Sequence, residues 1–240
     1  MTARVAFSAM GTVVSVAVHG SSTSKASAAC QHLARRIEEL ELVLSRWREE
    51  SALARRRRGV AVDDVALREV EVLASLLEQL SGGAFVPRDT DGPDLDGIAK
   101  GWIVERAALE AFATLSSSAR ISVAAGGDVW VRGEHQVGVA HPSVRGALVA
   151  LLRVNAGGVA TSGTSERGEH LRAPEGRLAL AQATVCAPVL WLADGLATAL
   201  VVAGDELIPV LTALPGVGWF VIDRDGRRRW GGAIEVVYSA

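Results

Sequence analysis

The sequence predicts an α+β domain in which helices pack on mixed or antiparallel sheets. Three observations point there. Apolar residues recur at helical spacing in the first half; from residue 121 the pattern turns to short apolar or alternating runs; helices thus come early and strands mostly late, the segregated order of an α+β domain. With 49% hydrophobic residues among 240, the chain can bury a large core, and a single domain over residues 1–240 is expected.

The elements follow in order. "RVAFSAMGTVVSVAVHG" alternates around Met10, Gly11 and Thr12, as two short strands or one bent strand would. After "SSTS", the spacing of Leu33, Ile37, Leu40 and Leu44 predicts an amphipathic helix closing near "SRW". A second helix follows "VDD", with Val70, Leu73, Leu77 and Leu80 on one face and Ser81-Gly82-Gly83 as its stop. "VPRDTDGPDLDG" is a loop rich in turn formers, and a third helix is expected over 98–115. "ISVAAGGDVWVRG", "QVGVAHP", "ALVALLRV" and "ATVCAPV" read as strands, "VLWLADGLATALVV" and "DELIPVLTAL" as helices. "GWFVIDRDGRRRWGG" reads as a hairpin turning at Asp225-Gly226.

Composition removes several classes of function. A formal charge of −2 argues against a polyanion binder, and the run of arginines at 55–58 reads as a solvated loop or as guidance for an anionic ligand. Cys30 and Cys186 form neither a disulfide framework nor a zinc motif. The N-terminal "MTARVAFSAMGT" has no signal-peptide pattern and no apolar run is long enough to span a bilayer, so a cytoplasmic protein is expected, not membrane-spanning and not nucleic-acid-binding.

Four stretches could carry chemistry. In "WLADGLATAL", Asp194 and Thr198 lie one helical turn apart and can bring a carboxylate and a hydroxyl to one point, which suits magnesium. The alternative is a threonine bonded to a helical carbonyl beside a solvated acid. "DLDGIAKG" leads into a helix whose first N–H groups can hold a phosphate, or is simply a helix capped by Asp96 with Gly97 easing the turn. "AAGGDVWV" allows close backbone approach but lacks the spaced glycines of a dinucleotide fold. "GVATSGTSERGEHL" brings hydroxyls and His170, a possible general base or a surface histidine.

Taken in order, "FSAMGT", "SRWREESAL", "GGAF", "DLDGIAKGW", "AAGGDVWV", "ATSG", His170 with a nearby proline, "TVCAP" and "ADGLATAL" resemble the ApbE family of FAD:protein FMN transferases. The resemblance implies a magnesium-dependent enzyme (manganese being a possible substitute), with FAD as substrate in a central cleft. It would move FMN through a phosphoester onto a threonine or serine of an acceptor flavoprotein, releasing AMP. Carried over by motif, Gly97, Asp194 and Thr198 would be the metal ligands. Met10 would pack on the flavin, with Trp47 at the nucleotide-contacting aromatic position. Ala84, Phe85, Val86, Asp94 and Lys100 would line the FAD site, and His170 would deprotonate the acceptor hydroxyl, working with Asp194 at the catalytic centre. The chain departs from the family in three places: Val86 stands where an acid is usual and is followed by a short connector, Ala173 replaces an aspartate, and Asp96 replaces a glycine, adding charge beside the expected metal. A relative that binds or hydrolyses FAD without modifying protein, or a non-catalytic scaffold, are the alternatives these departures raise.

Overall fold

The computed structural model describes residues 2–163 and 178–239. Two strands, β1 (Thr2–Ala9) and β2 (Thr12–His19), form a hairpin closed by Met10 and Gly11. Both turn residues have positive φ, 51° and 69°, which matches the twist of a two-residue hairpin loop. Helix α1 (Thr23–Leu44) follows, capped by Ser22 and burying Leu33, Ile37, Leu40 and Leu44, as the spacing predicts. In α3 (Val65–Leu80), Asp64 accepts the Leu67 N–H at 3.0 Å. Its buried stripe is Leu67, Val70, Ala74 and Leu77; Leu73 and Leu80 only flank it.

The arginine run is helical where a loop was one expectation, with Arg55 and Arg58 exposed and Arg56 and Arg57 partly buried. It lies in a short helix, α2 (Ala52–Arg57), capped by Ser51. Arg56 donates to the Val62 carbonyl, Arg57 to both oxygens of Asp89 at 3.0 Å, and Arg58 to the Glu49 carbonyl. Arg57 thereby fixes the small hairpin of β3 (Arg88–Asp89) and β4 (Gly92–Pro93), which is what the turn-rich connector becomes. Helix α4 (Asp96–Ala111) starts two residues before the expected helix and stops four residues before its end. Leu95, not Asp96, occupies the cap, and no side chain caps it.

The remaining strands are β5 (Arg120–Ala125), β6 (Asp128–Ala140), β7 (Leu148–Gly163), β8 (Gln182–Ala187), β9 (Gly218–Ile222), β10 (Arg228–Gly232) and β11 (Glu235–Ser239). Helix α5 (Leu190–Ala203) follows β8, and α6 (Ile208–Ala213) follows a 3-10 turn. Among the described residues the order is β1-β2-β5-β6-β7-β8-β9-β10, with β11 on β7, and the pairings within this sheet are antiparallel. The α+β reading holds. Two segments expected as separate strands merge into the long β6, "ALVALLRV" extends through "ATSG" to form β7, and β11 was not foreseen.

The helices cover one face of the sheet in a large core reaching from Val14 to Val221, while Val131, Leu152, Phe220 and their neighbours form a smaller cluster. Cys30 and Cys186 are buried free thiols, and burial pushes Cys186 up to about 12. No helix among the described residues is long and apolar enough to cross a membrane.

Beside the sheet, His135 lies 6.4 Å from the ring of His19. Desolvation lowers its pKa, opposed chiefly by a backbone hydrogen bond with Arg132, while the nearby charges of Arg120 and His19 lower it further and a backbone bond with Ile121 raises it least. The unfolded chain takes up this proton near the ordinary value of 6.5, whereas the folded chain resists it. His135 therefore favours folding least in acid: stability is expected to fall as pH drops through 6.5 toward the depressed folded value. Urea midpoints measured between about pH 8 and about pH 5 should show a smaller fall for His135→Phe than for the wild type.

Candidate functional site

The site forms where α4 meets α5. A Cβ built on Gly97 would lie 2.8 Å from Phe85 Cε2 and 3.3 Å from Thr198 Cγ2. One built on Gly101 would lie 2.9 Å from both Asp194 Cβ and the Leu190 carbonyl oxygen. The two glycines, one turn apart on α4, thus allow close contact with Thr198 and Asp194, one turn apart on α5.

Asp194 is fully buried, so the reading of a solvated acid is removed. Its Oδ2 accepts the Gly101 N–H at 2.9 Å, which offsets part of the desolvation penalty of a buried carboxylate. Thr198 Oγ1 lies 3.3 Å from Ser162 Oγ, which belongs to "ATSG" at the end of β7 and is itself buried.

In front of Gly97 and Thr198 opens a cavity of about 960 Å³. Met10 lines it from the hairpin tip and Trp47 from the segment after α1. Ala84, Phe85 and Val86 supply the wall after α3; Asp94 and Lys100 border the start of α4. The expected binding residues are thus gathered from four separate segments, and α5 adds a fifth through Thr198. Asp194 sits one turn deeper and is not part of the lining. His170 and Ala173 fall outside the described residues.

Polar side chains organise this wall. The Arg46 guanidinium lies 4.6 Å from the centre of the Trp47 ring, which is 70% exposed. Arg46 also pairs with Asp94 at 2.7 Å, Asp96 at 3.0 Å and Asp89 at 3.7 Å. Arg46 therefore shares its single charge among Asp96 and two further acids. Lys100 pairs with Asp128, the fully buried acid of "AAGGDVWV". The short connector does not leave the wall open, because Arg88, Asp89 and Thr90 of the β3–β4 hairpin line the cavity.

Sequence reasoning missed Glu41, Arg46 and Glu105. Glu41 Oε2 accepts the Met10 N–H at 3.0 Å, holding the hairpin tip against α1, and no local pattern signals so distant a pair. Arg46 lies inside "SRW" and was passed over for its aromatic neighbour. Glu105 is buried on α4 and accepts N–H bonds from Leu190 at 2.9 Å and Trp191 at 3.4 Å. Desolvation raises its pKa, opposed by those two bonds and by the charge of Arg106.

A cation held by the Asp194 carboxylate, the Thr198 hydroxyl and the Gly97 carbonyl would meet only oxygen donors, the chemistry magnesium or manganese accepts. Among the described residues, no three His, Cys, Asp or Glu side chains converge into an all-side-chain metal centre.

Solved structures share the overall fold. The ApbE protein of Thermotoga maritima superposes with a TM-score of 0.80 at 21% identity, over 95% of this chain and 96% of that one. Flavin transferase ApbE from Vibrio cholerae gives 0.76 at 21% identity, over 97% and 98%. The apo form of the Pseudomonas stutzeri flavinyl transferase ApbE gives 0.77 at 18% identity, over 97% and 96%. At such identities these likenesses establish the fold. No curated protein matches the sequence. The model of the ApbE family matches residues 92–218, a stretch holding α4, the sheet strands β5 to β8 and α5. On that match, over more than half of its length, the protein belongs to the ApbE family.

Proposed function

We propose that the protein is a magnesium-dependent FAD:protein FMN transferase. One observation carries the reading: residues from five distant segments line a single cavity against the Gly97–Thr198 contact. The cavity is within the range of about 300–1,000 Å³ that ligand sites occupy. Solved structures named as flavin transferases share the fold, which supports the reading.

The flavin lies against Met10, and the nucleotide end runs toward Trp47 and Arg46. Asp194, Thr198 and the Gly97 carbonyl would hold the magnesium ion, whose chemistry when bound would be to withdraw charge from a pyrophosphate. The acceptor is a serine or threonine hydroxyl of a flavoprotein. Its oxygen attacks the FMN-side phosphorus, forming the phosphoester as the bond to the AMP phosphate breaks. His170 takes the hydroxyl proton, and AMP leaves with the electron pair of the broken bond. The remaining residues bind and orient, which is most of what phosphoryl transfer asks of a protein.

The test incubates the protein with FAD, Mg²⁺ and an acceptor domain and weighs the acceptor. An increment of one FMN less water is expected, with AMP released in equal amount. Release of FMN and AMP without an adduct, or no turnover of FAD, overturns the reading.

Met10 supplies a second test. Its φ of 51° is a left-handed conformation for a residue with a Cβ, a strain of about 1–3 kcal/mol of the kind found at binding sites. Asparagine tolerates that conformation and suits this turn. Met10→Asn is therefore expected to stabilise the fold by about 1 kcal/mol, or about 2–4 °C in Tm. It should also weaken FAD binding about tenfold, since a buried methionine contact contributes about 1.5–3 kcal/mol. Thermal unfolding and FAD titration read the two effects separately.

A further inference from the structure

Helices α4 and α5 meet in three rungs, each one turn from the next: Gly97 faces Thr198, Gly101 faces Asp194, and Glu105 faces Leu190. Two rungs carry side-chain to main-chain hydrogen bonds in opposite directions. Asp194 on α5 accepts from the Gly101 N–H of α4, and Glu105 on α4 accepts from the Leu190 and Trp191 N–H groups of α5. The first N–H groups of a helix need partners from outside it. Val189, in the cap position of α5, provides no side-chain bond, so Glu105 caps that helix from its neighbour. Leu190 is also confined laterally: a Cβ on Gly158 of β7 would fall 2.4 Å from its Cα. The sheet and α4 therefore fix where α5 lies, and the Glu105 bonds fix how far it slides and turns.

We infer that Glu105 is a positioning residue: by capping α5 it holds the register that sets Asp194 against Gly101 and Thr198 against Gly97. Its effect on transfer rests on the function proposed above; its effect on register does not. Glu105 is buried and does not line the cavity. It acts through Asp194 and Thr198.

Three variants test this in the full chain. Glu105→Gln keeps an acceptor oxygen at the same reach, Glu105→Asp keeps the charge but shortens the reach, and Glu105→Ala removes both. The first readout is amide hydrogen exchange at Gly101 without any ligand; the second is Mg²⁺ titration in the presence of FAD. In Glu105→Ala and Glu105→Asp, Gly101 exchange is expected to accelerate at least about tenfold and Mg²⁺ affinity to fall about ten- to a hundredfold, as for supporting residues of metal ligands. Glu105→Gln should restore both to near the wild-type values. Should Glu105→Ala fail to fold, the Gln and Asp variants still decide. Unchanged Gly101 exchange in Glu105→Asp, or failure of Glu105→Gln to restore it, overturns the inference. A wild-type protein that binds neither Mg²⁺ nor FAD sinks the proposed function instead, while Gly101 exchange still judges the register.

Discussion

Asp194→Asn is expected to leave the fold intact and slow flavin transfer about 100- to 1,000-fold. The asparagine carbonyl can still accept the Gly101 N–H, so the contact between α4 and α5 keeps its hydrogen bond. What disappears is the negative charge. A divalent ion at a phosphoryl site contributes several kcal/mol, and about 1.4 kcal/mol is a factor of ten in rate, which gives the expected range. FAD titration should lose its dependence on Mg²⁺ to a similar degree. Removal of Mg²⁺ from the wild type by a chelator should reproduce the defect. Wild-type rates for Asp194→Asn would show that the carboxylate serves packing alone.

Gly101→Ala is expected to impair stability and activity together. Alanine in a helix interior is favoured over glycine by about 1 kcal/mol, so the change would stabilise an exposed helix. Here the new Cβ meets Asp194 Cβ and the Leu190 carbonyl oxygen at 2.9 Å, and the latter is main chain that has no rotamer to change. Overpacking of this kind costs about 1–3 kcal/mol, enough to reverse the propensity gain. A net loss of up to about 2 kcal/mol corresponds to up to about 8 °C in Tm for a domain of this size. The larger effect falls on the reaction, because a shift of about 1 Å in a catalytic arrangement costs about a hundredfold. Thermal unfolding and adduct formation, measured on the same preparation, should fall in that proportion. An alanine variant as stable and active as the wild type would mean that the helices separate freely, and the ladder of contacts would lose its role.

The two substitutions act on the same place by different physics. The first removes charge and preserves geometry; the second preserves charge and displaces it. A site that depends only on having an acid nearby would tolerate the second and not the first. A site that depends on register tolerates neither.

Local signals in the sequence carried the order of the elements. Period-two alternation marked β1 and β2, and the 3.6-residue stripe marked α1 and α3 with their polar caps. Where local signals conflicted with packing, the reading slipped. The arginine run looked solvated because its partners, Asp89 and the carbonyls of Val62 and Glu49, are not adjacent in sequence. The strand β11 escaped because Glu235–Ser239 is a short run at the end of the chain whose pairing with β7 is wholly non-local.

The same division runs through the candidate site. The residues facing the cavity were legible only as motif positions of the family resemblance; helix periodicity by itself placed just Asp194 and Thr198 on one side of α5. That two glycines on α4 oppose those positions is a property of helix pairing, decided by steric fit between surfaces far apart in the chain. Glu41, Arg46 and Glu105 are ordinary charged residues in their own segments. Only folding gives Glu41 the amide of Met10, Arg46 its three aspartates and Glu105 the open end of α5. The sequence by itself determined which side chains can do chemistry and on which elements they ride, since both follow from near neighbours. The tertiary structure alone decided which buried charges are compensated and what holds the helices in register, since hydrogen bonds and close packing act through space and ignore sequence separation.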